Sequence, residues 1–145
     1  MPSAASVEPP SSSGPTLDRE AAAQRYLEIV DGHNAAVNDF AAARERDAPW
    51  QEEQAALRVL FQADEKEGAD LAATAWPADV RPLIDQLIQA KLANRQAMSA
   101  ATRATTREEY LRLLDVAFAN DECAEANAVR GALGLEPAGG DCPTG

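Results

Sequence analysis

Tyr26, Val30, His33, Val37 and Phe40 follow one another at steps of four, three, four and three residues. On a helix that spacing puts all five side chains on one seam. A seam of this kind has to face another helix, so the pattern predicts packed helices rather than a sheet. The same period returns in Trp50, Leu57, Leu60, Phe61 and Leu71, with Val59 at the border. It returns again in Ile84, Leu87, Lys91, Asn94, Met98 and Ala101, and finally in Tyr110, Leu111, Leu114, Ala117, Phe118 and Ala124.

Punctuation divides these segments. The first helix is expected from Thr16, with Asp18 and Glu20 in the first turn where the helix dipole favours negative charge. It ends near Asp47, because Pro49 disfavours helical geometry at Ala48. Pro49 can open the second helix, and Trp76-Pro77 closes it. Within it, charge and a glycine between Asp64 and Asp70 predict a kink or short loop. Asp79 is the expected cap of the third helix, with Pro82 tolerated in its first turn. Thr106 and Glu109 stand in capping-box relation at the start of the fourth, which Gly131, Gly134 and Pro137 bring to an end. Short connections favour antiparallel neighbours, so the expected fold is all-α: an antiparallel up-down four-helix bundle. Alanine supplies 32 of the 145 residues and aromatics only seven, so the core should be thin and made by close helix approach.

Residues 2–15 are rich in Pro, Ser and Gly and cannot repay the entropy of ordering, which predicts a disordered tether over 1–15. The bundle domain is placed at 16–136 and a glycine-rich tail at 137–145. The net charge of −11 leaves no basic stripe for a nucleic-acid backbone or anionic lipid heads. No run approaches the roughly 20 apolar residues that span a bilayer.

Cys123 and Cys142 form an even number without metal-ligand companions. A bond between them would pin the tail along the last helix and stabilise by about 3 kcal/mol if unstrained. It would also place the protein in an oxidising, extracytoplasmic compartment. The rival reading is two free thiols in the cytoplasm.

Several residues invite a chemical reading. His33 is the sole histidine, open to reading as a base or single ligand, or as a partly buried ring satisfied by a neighbouring helix. Trp50 and Trp76 bracket the second helix and either line a groove that binds a ligand or peptide or plug the ends of the bundle; with His33 they are the candidate ligand-binding residues. Asp64, Glu65, Glu67 and Asp70 lack the spacing of a calcium loop and are expected to form a solvated face at a helix break. Asp121, Glu122 and Glu125 make a second acidic patch, also expected on the surface. Ser99, Thr102, Thr105 and Thr106 cluster without a second histidine or a nucleophile elbow, so no hydrolase triad assembles. No metal centre and no cofactor are expected.

The Pro/Ser segment before Thr16, Tyr26-Leu27-Glu28-Ile29-Val30 with Asn34-Ala35-Ala36, Trp76-Pro77-Ala78-Asp79-Val80 and residues 126–135 together carry a resemblance. So does the usage of eleven arginines against two lysines. The chain resembles the alanine- and arginine-rich helical lipoproteins exported by high-GC Gram-positive bacteria. The resemblance implies export, a lipid anchor on an N-terminal cysteine missing from this sequence, and a small helical ectodomain at the cell surface. It carries over no catalytic residue. The function expected on this reading is that of a non-enzymatic binding or regulatory module for another envelope protein. The alternative is a bundle that binds a small molecule or a metal.

Overall fold

The computed structural model describes residues 15–119 and 122–137. It is all-helical, with α1 at Arg19–Glu45, α2 at Trp50–Ala73, α3 at Arg81–Thr102, α4 at Arg107–Ala117 and α5 at Cys123–Ala132. Residues 1–14 of the expected tether, Asp121, and Cys142 with residues 138–145 of the tail fall outside the described residues.

The helix ends follow their local chemistry. The Asp18 side chain caps α1, accepting from the Ala21 amide at 2.8 Å. At the other end Ala48 N donates to Ala43 O and Asp47 N to Arg44 O, the paired bonds of a Schellman motif. That motif needs a left-handed residue, and Asp47 supplies it at φ 57°. Gly134 serves α5 in the same role at φ 74°, with Leu135 N donating to Arg130 O at 2.8 Å. Thr106 caps α4 as expected, accepting from Glu109 N at 3.2 Å. The reciprocal bond reaches one residue further back than a capping box predicts: Glu109 Oε1 accepts from Thr105 N.

Three expectations are corrected. The predicted single fourth helix is two helices, α4 and α5, so the described chain has five helices rather than four. The predicted kink near Asp64 is absent, and α2 runs unbroken to Ala73. The charge expected to break it is held inward instead, Asp64 and Glu67 both accepting from Lys91 of α3. Val80, not Asp79, is the N-cap of α3. Asp79 instead accepts from Arg19 at 2.7 Å, and Arg19 also donates to the Ala132 carbonyl, tying the start of α1 to the end of α5.

α1 packs on α2, α2 on α3, and α3 on both α4 and α5. The buried apolar residues form two clusters. One gathers Tyr26, Ile29, Val30, Leu71, Trp76, Ile84, Leu87 and Val129. The other gathers Phe40, Leu57, Leu60, Met98, Tyr110 and Leu114. Between them, α1 changes from Val30 to Ala36, α2 from Leu71 to Leu60 and α3 from Leu87 to Met98. The residues that fill this gap are polar.

Candidate functional site

His33 of α1, Asp64 and Glu67 of α2 and Lys91 of α3 occupy the gap, and Glu122 reaches in from the N-cap of α5. Asp64 and Glu67 lie one turn apart and so point the same way from α2. Each is 4 % exposed and Lys91 is 2 % exposed. This corrects the reading of Asp64 and Glu67 as a solvated face: their neighbours Glu65 and Lys66 are exposed, while these two turn inward.

Lys91 Nζ donates to Asp64 Oδ1 at 2.9 Å, to Glu122 Oε1 at 2.7 Å and to Glu67 Oε1. The ammonium thus spends its three donors on three carboxylates. The His33 ring lies against the same pair from α1, Nε2 at 3.4 Å from Asp64 Oδ1 and Nδ1 at 3.6 Å from Glu67 Oε1. The Nε2–Asp64 contact is within hydrogen-bonding reach, whereas the Nδ1–Glu67 contact is longer than a hydrogen bond and acts through charge alone. With His33 neutral the cluster carries three negative charges against one positive.

That imbalance sets the proton affinities. Burial works against the Lys91 ammonium, but Glu67, Glu122 and Asp64 outweigh it and hold its pKa well above the ordinary value. Burial raises Asp64, yet the hydrogen bond from His33 and the charge of Lys91 bring it below the usual carboxylate range. For Glu67 burial wins and its pKa is raised. The Tyr26 hydroxyl is pushed up to about 12, chiefly by burial and then by Glu67.

His33, Asp64, Glu67 and Glu122 offer ligand atoms that all lie within 4.8 Å of one another, a donor set able to hold a divalent cation. Lys91 Nζ sits among them, so a metal would have to displace the ammonium.

The polar layer is flanked by space. A cavity of about 160 Å³ opens beside it, with Val37, Leu60, Met98, Ala117 and Phe118 as apolar wall and His33, Asp64, Lys91, Asn94 and Glu122 at its polar end. Val37 and Phe118 are 37 % and 43 % exposed, so the cavity reaches the surface there. A second cavity of about 140 Å³ lies on the other side of His33, between Glu28, Ile29, Gly32, Ala63, Lys66 and Glu67.

The two tryptophans stand apart from this site. Trp76 is buried in the first apolar cluster, its indole N–H donating to Leu71 O at 2.8 Å and its ring edge-on to Tyr26. Trp50 packs on Tyr110 at 5.6 Å beside the second cluster and borders a separate, mainly polar pocket with Arg44, Glu53 and Arg107. The structure therefore brings His33 together with carboxylates and a lysine, not with Trp50 or Trp76. Cys123 opens α5 next to Glu122, and its pairing with Cys142 lies outside the described residues.

A second polar station closes the far end. Gln54 Nε2 donates to the carbonyls of Ala101 and Ala104, each at 2.9 Å, and Arg58 Nε donates to Thr102 O. These bonds add side-chain donors to carbonyls at and just beyond the end of α3, where the helix's own amides give out. Tyr110 OH donates to Glu53 Oε2 at 2.7 Å beneath them. The Ser/Thr cluster is spent locally, Thr102 bonding Ser99 O and Thr106 capping α4.

Lys91 was visible in the sequence as a stripe position but not as a site residue. The signal that marks it is a polar residue on the inner seam of each of three helices, flanked by apolar residues on both sides. Comparison with models of known protein families, with curated proteins and with solved structures finds no match to the chain.

Proposed function

We propose that this is a non-enzymatic helical binding domain whose ligand site is the cavity beside the His33–Asp64–Lys91–Glu122 cluster. One observation carries the reading: an apolar cavity of about 160 Å³ that reaches the surface at one end and meets charged side chains at the other. Cavities of about 150 Å³ with apolar walls accept ligands of benzene size. Apolar walls with a few convergent polar groups are the usual form of a small-molecule site. The cluster's donors and acceptors are engaged with one another rather than arranged as a nucleophile and its base, which favours binding over catalysis. The helices are proposed to run up and down as antiparallel neighbours, as their short links and sequential packing favour.

The setting proposed is the cell envelope, with residues 2–15 as tether and Cys123 paired to Cys142, and with the domain reporting its ligand to another envelope protein. The composition of that segment and the even cysteine count support this part of the reading.

Thermal melting against a panel of small aromatic and aliphatic fragments tests the binding site, with Val37→Trp as the blocked variant. Val37 stands at the partly exposed rim, so the larger ring fills the mouth without entering the core. A ligand at about one hundred times its Kd should add roughly 2.7 kcal/mol to the wild type and much less to the variant. Equal shifts in both proteins, or none in either, would refute the site.

A further inference from the structure

We propose that the ligand of this cavity is a small organic ammonium, an amine with a compact aromatic or branched aliphatic body. The inference rests on the binding reading above and goes on to name the ligand's chemistry.

The argument starts from charge. Three carboxylates face one lysine and one histidine, so even with His33 protonated the cluster keeps an excess negative charge. Asp64 and Glu122 belong to the lining of this cavity, whereas Glu67 lines the second one. Lys91 bonds Oδ1 of Asp64 and Oε1 of Glu122, and a carboxylate offers two oxygens with about four lone-pair sites, so each of these lining groups has a second oxygen to offer a ligand. An anion has no counterpart here, because the Lys91 ammonium has already committed its three donors to carboxylates. A neutral molecule would gain the apolar wall and at most an uncharged hydrogen bond. A cation gains that wall and also offsets the surplus charge, in a site where partial desolvation strengthens the attraction.

The body of the ligand is set by the wall. Leu60, Met98 and Phe118 line the space, and a thioether beside a flat ring suits an aromatic guest. Lys91 shows the arrangement in miniature: an alkyl stem running into the layer with an ammonium at its end.

Calorimetric titration of the full chain with benzylamine, benzyl alcohol and benzoate, matched in body and differing in charge, tests the inference. Benzylamine should bind about tenfold or more tighter than the alcohol, the usual yield of one charge-assisted hydrogen bond, and benzoate weakest. Glu122→Gln should lower the amine's affinity by a larger factor than the alcohol's. Alcohol binding as tight as the amine, or an equal loss of both in the variant, overturns the ammonium inference while leaving the cavity as a binding site. Failure of all three to bind, together with a fragment panel that never distinguishes wild type from Val37→Trp, overturns both.

Discussion

Replacing Lys91 by methionine keeps the length and apolar stem of the side chain and deletes the one ammonium in the buried layer. In the wild type that ammonium contacts Asp64 at 2.9 Å, Glu122 at 2.7 Å and Glu67, with Lys91 and the two α2 carboxylates nearly inaccessible to water. Removing one partner of a buried ion pair leaves uncompensated charge and costs about 3–5 kcal/mol. For a domain of this size each kcal/mol moves the melting temperature by roughly 3–5 °C, so a fall of roughly 9–25 °C is expected at pH 7.

The pH dependence carries the sharper test. Asp64 is held below its ordinary value of 3.8, so its contribution is present above the unfolded pKa and lost as pH falls through the folded one. Lys91 is held above its ordinary value of 10.5, so its contribution is present below that and lost as pH rises through the folded pKa. Glu67 is raised above 4.5 and acts in the opposite sense to Asp64, its ionisation costing stability as pH rises through the folded value. In Lys91→Met the carboxylates lose their cation and take up protons more readily, so the gap to wild type should narrow as pH falls from 7 to 4.5. Adding Glu67→Gln should recover part of the loss, since it removes one of the stranded charges, with a coupling of about 0.5–3 kcal/mol. Circular dichroism melts over that range supply the data. A variant within about 3 °C of wild type at pH 7, or a gap that does not narrow on acidification, would refute the account of a lysine-neutralised layer.

Tyr110→Phe removes the phenol's hydrogen bond to Glu53 Oε2, leaving that carboxylate its contact with Arg44 at 3.7 Å, and should cost about 1–3 kcal/mol in urea unfolding at unchanged m value. Gly32→Ala lies inside α1 where a Cβ meets nothing within 4 Å, so it should stabilise by about 0.5–1 kcal/mol. Gly134→Ala, at φ 74°, should destabilise by about 1–2 kcal/mol, and equal effects at the two glycines would contradict both assignments. Intact mass should be lighter by two hydrogens than the reduced chain, and reductant should lower the melt, if Cys123 and Cys142 are bonded; an unchanged mass and melt would remove the disulfide and the envelope setting that rests on it.

The helices were legible because their signals are local. The seam from Tyr26 to Phe40 and the caps at Asp18 and Thr106 depend on residues within a few positions of one another. The acidic run in α2 misled for the opposite reason. Asp64 and Glu67 are neutralised by Lys91, which is 27 and 24 residues away in sequence, and no local pattern reports that pairing. Read locally, charge on a helix means solvent and a possible break; with α3 packed against it, charge becomes the polar layer of the core. The division of α4 from α5 was missed because the apolar period runs on through Phe118 to Ala124. Asn120-Asp121, a turn-favouring pair, was the available counter-signal. His33 was found by type and position, but the tryptophans grouped with it serve apolar packing in two other places.

Amide-shift mapping by two-dimensional NMR on the isotope-labelled chain, titrated with benzylamine, addresses the binding site most directly. Progressive, saturable shifts should centre on Leu60, Asp64, Met98, Ala117 and Phe118, and vanish in Val37→Trp. Shifts that scatter over the acidic surface without saturating, or that centre on Trp50 or Trp76, would contradict the assignment of this cavity as the functional site.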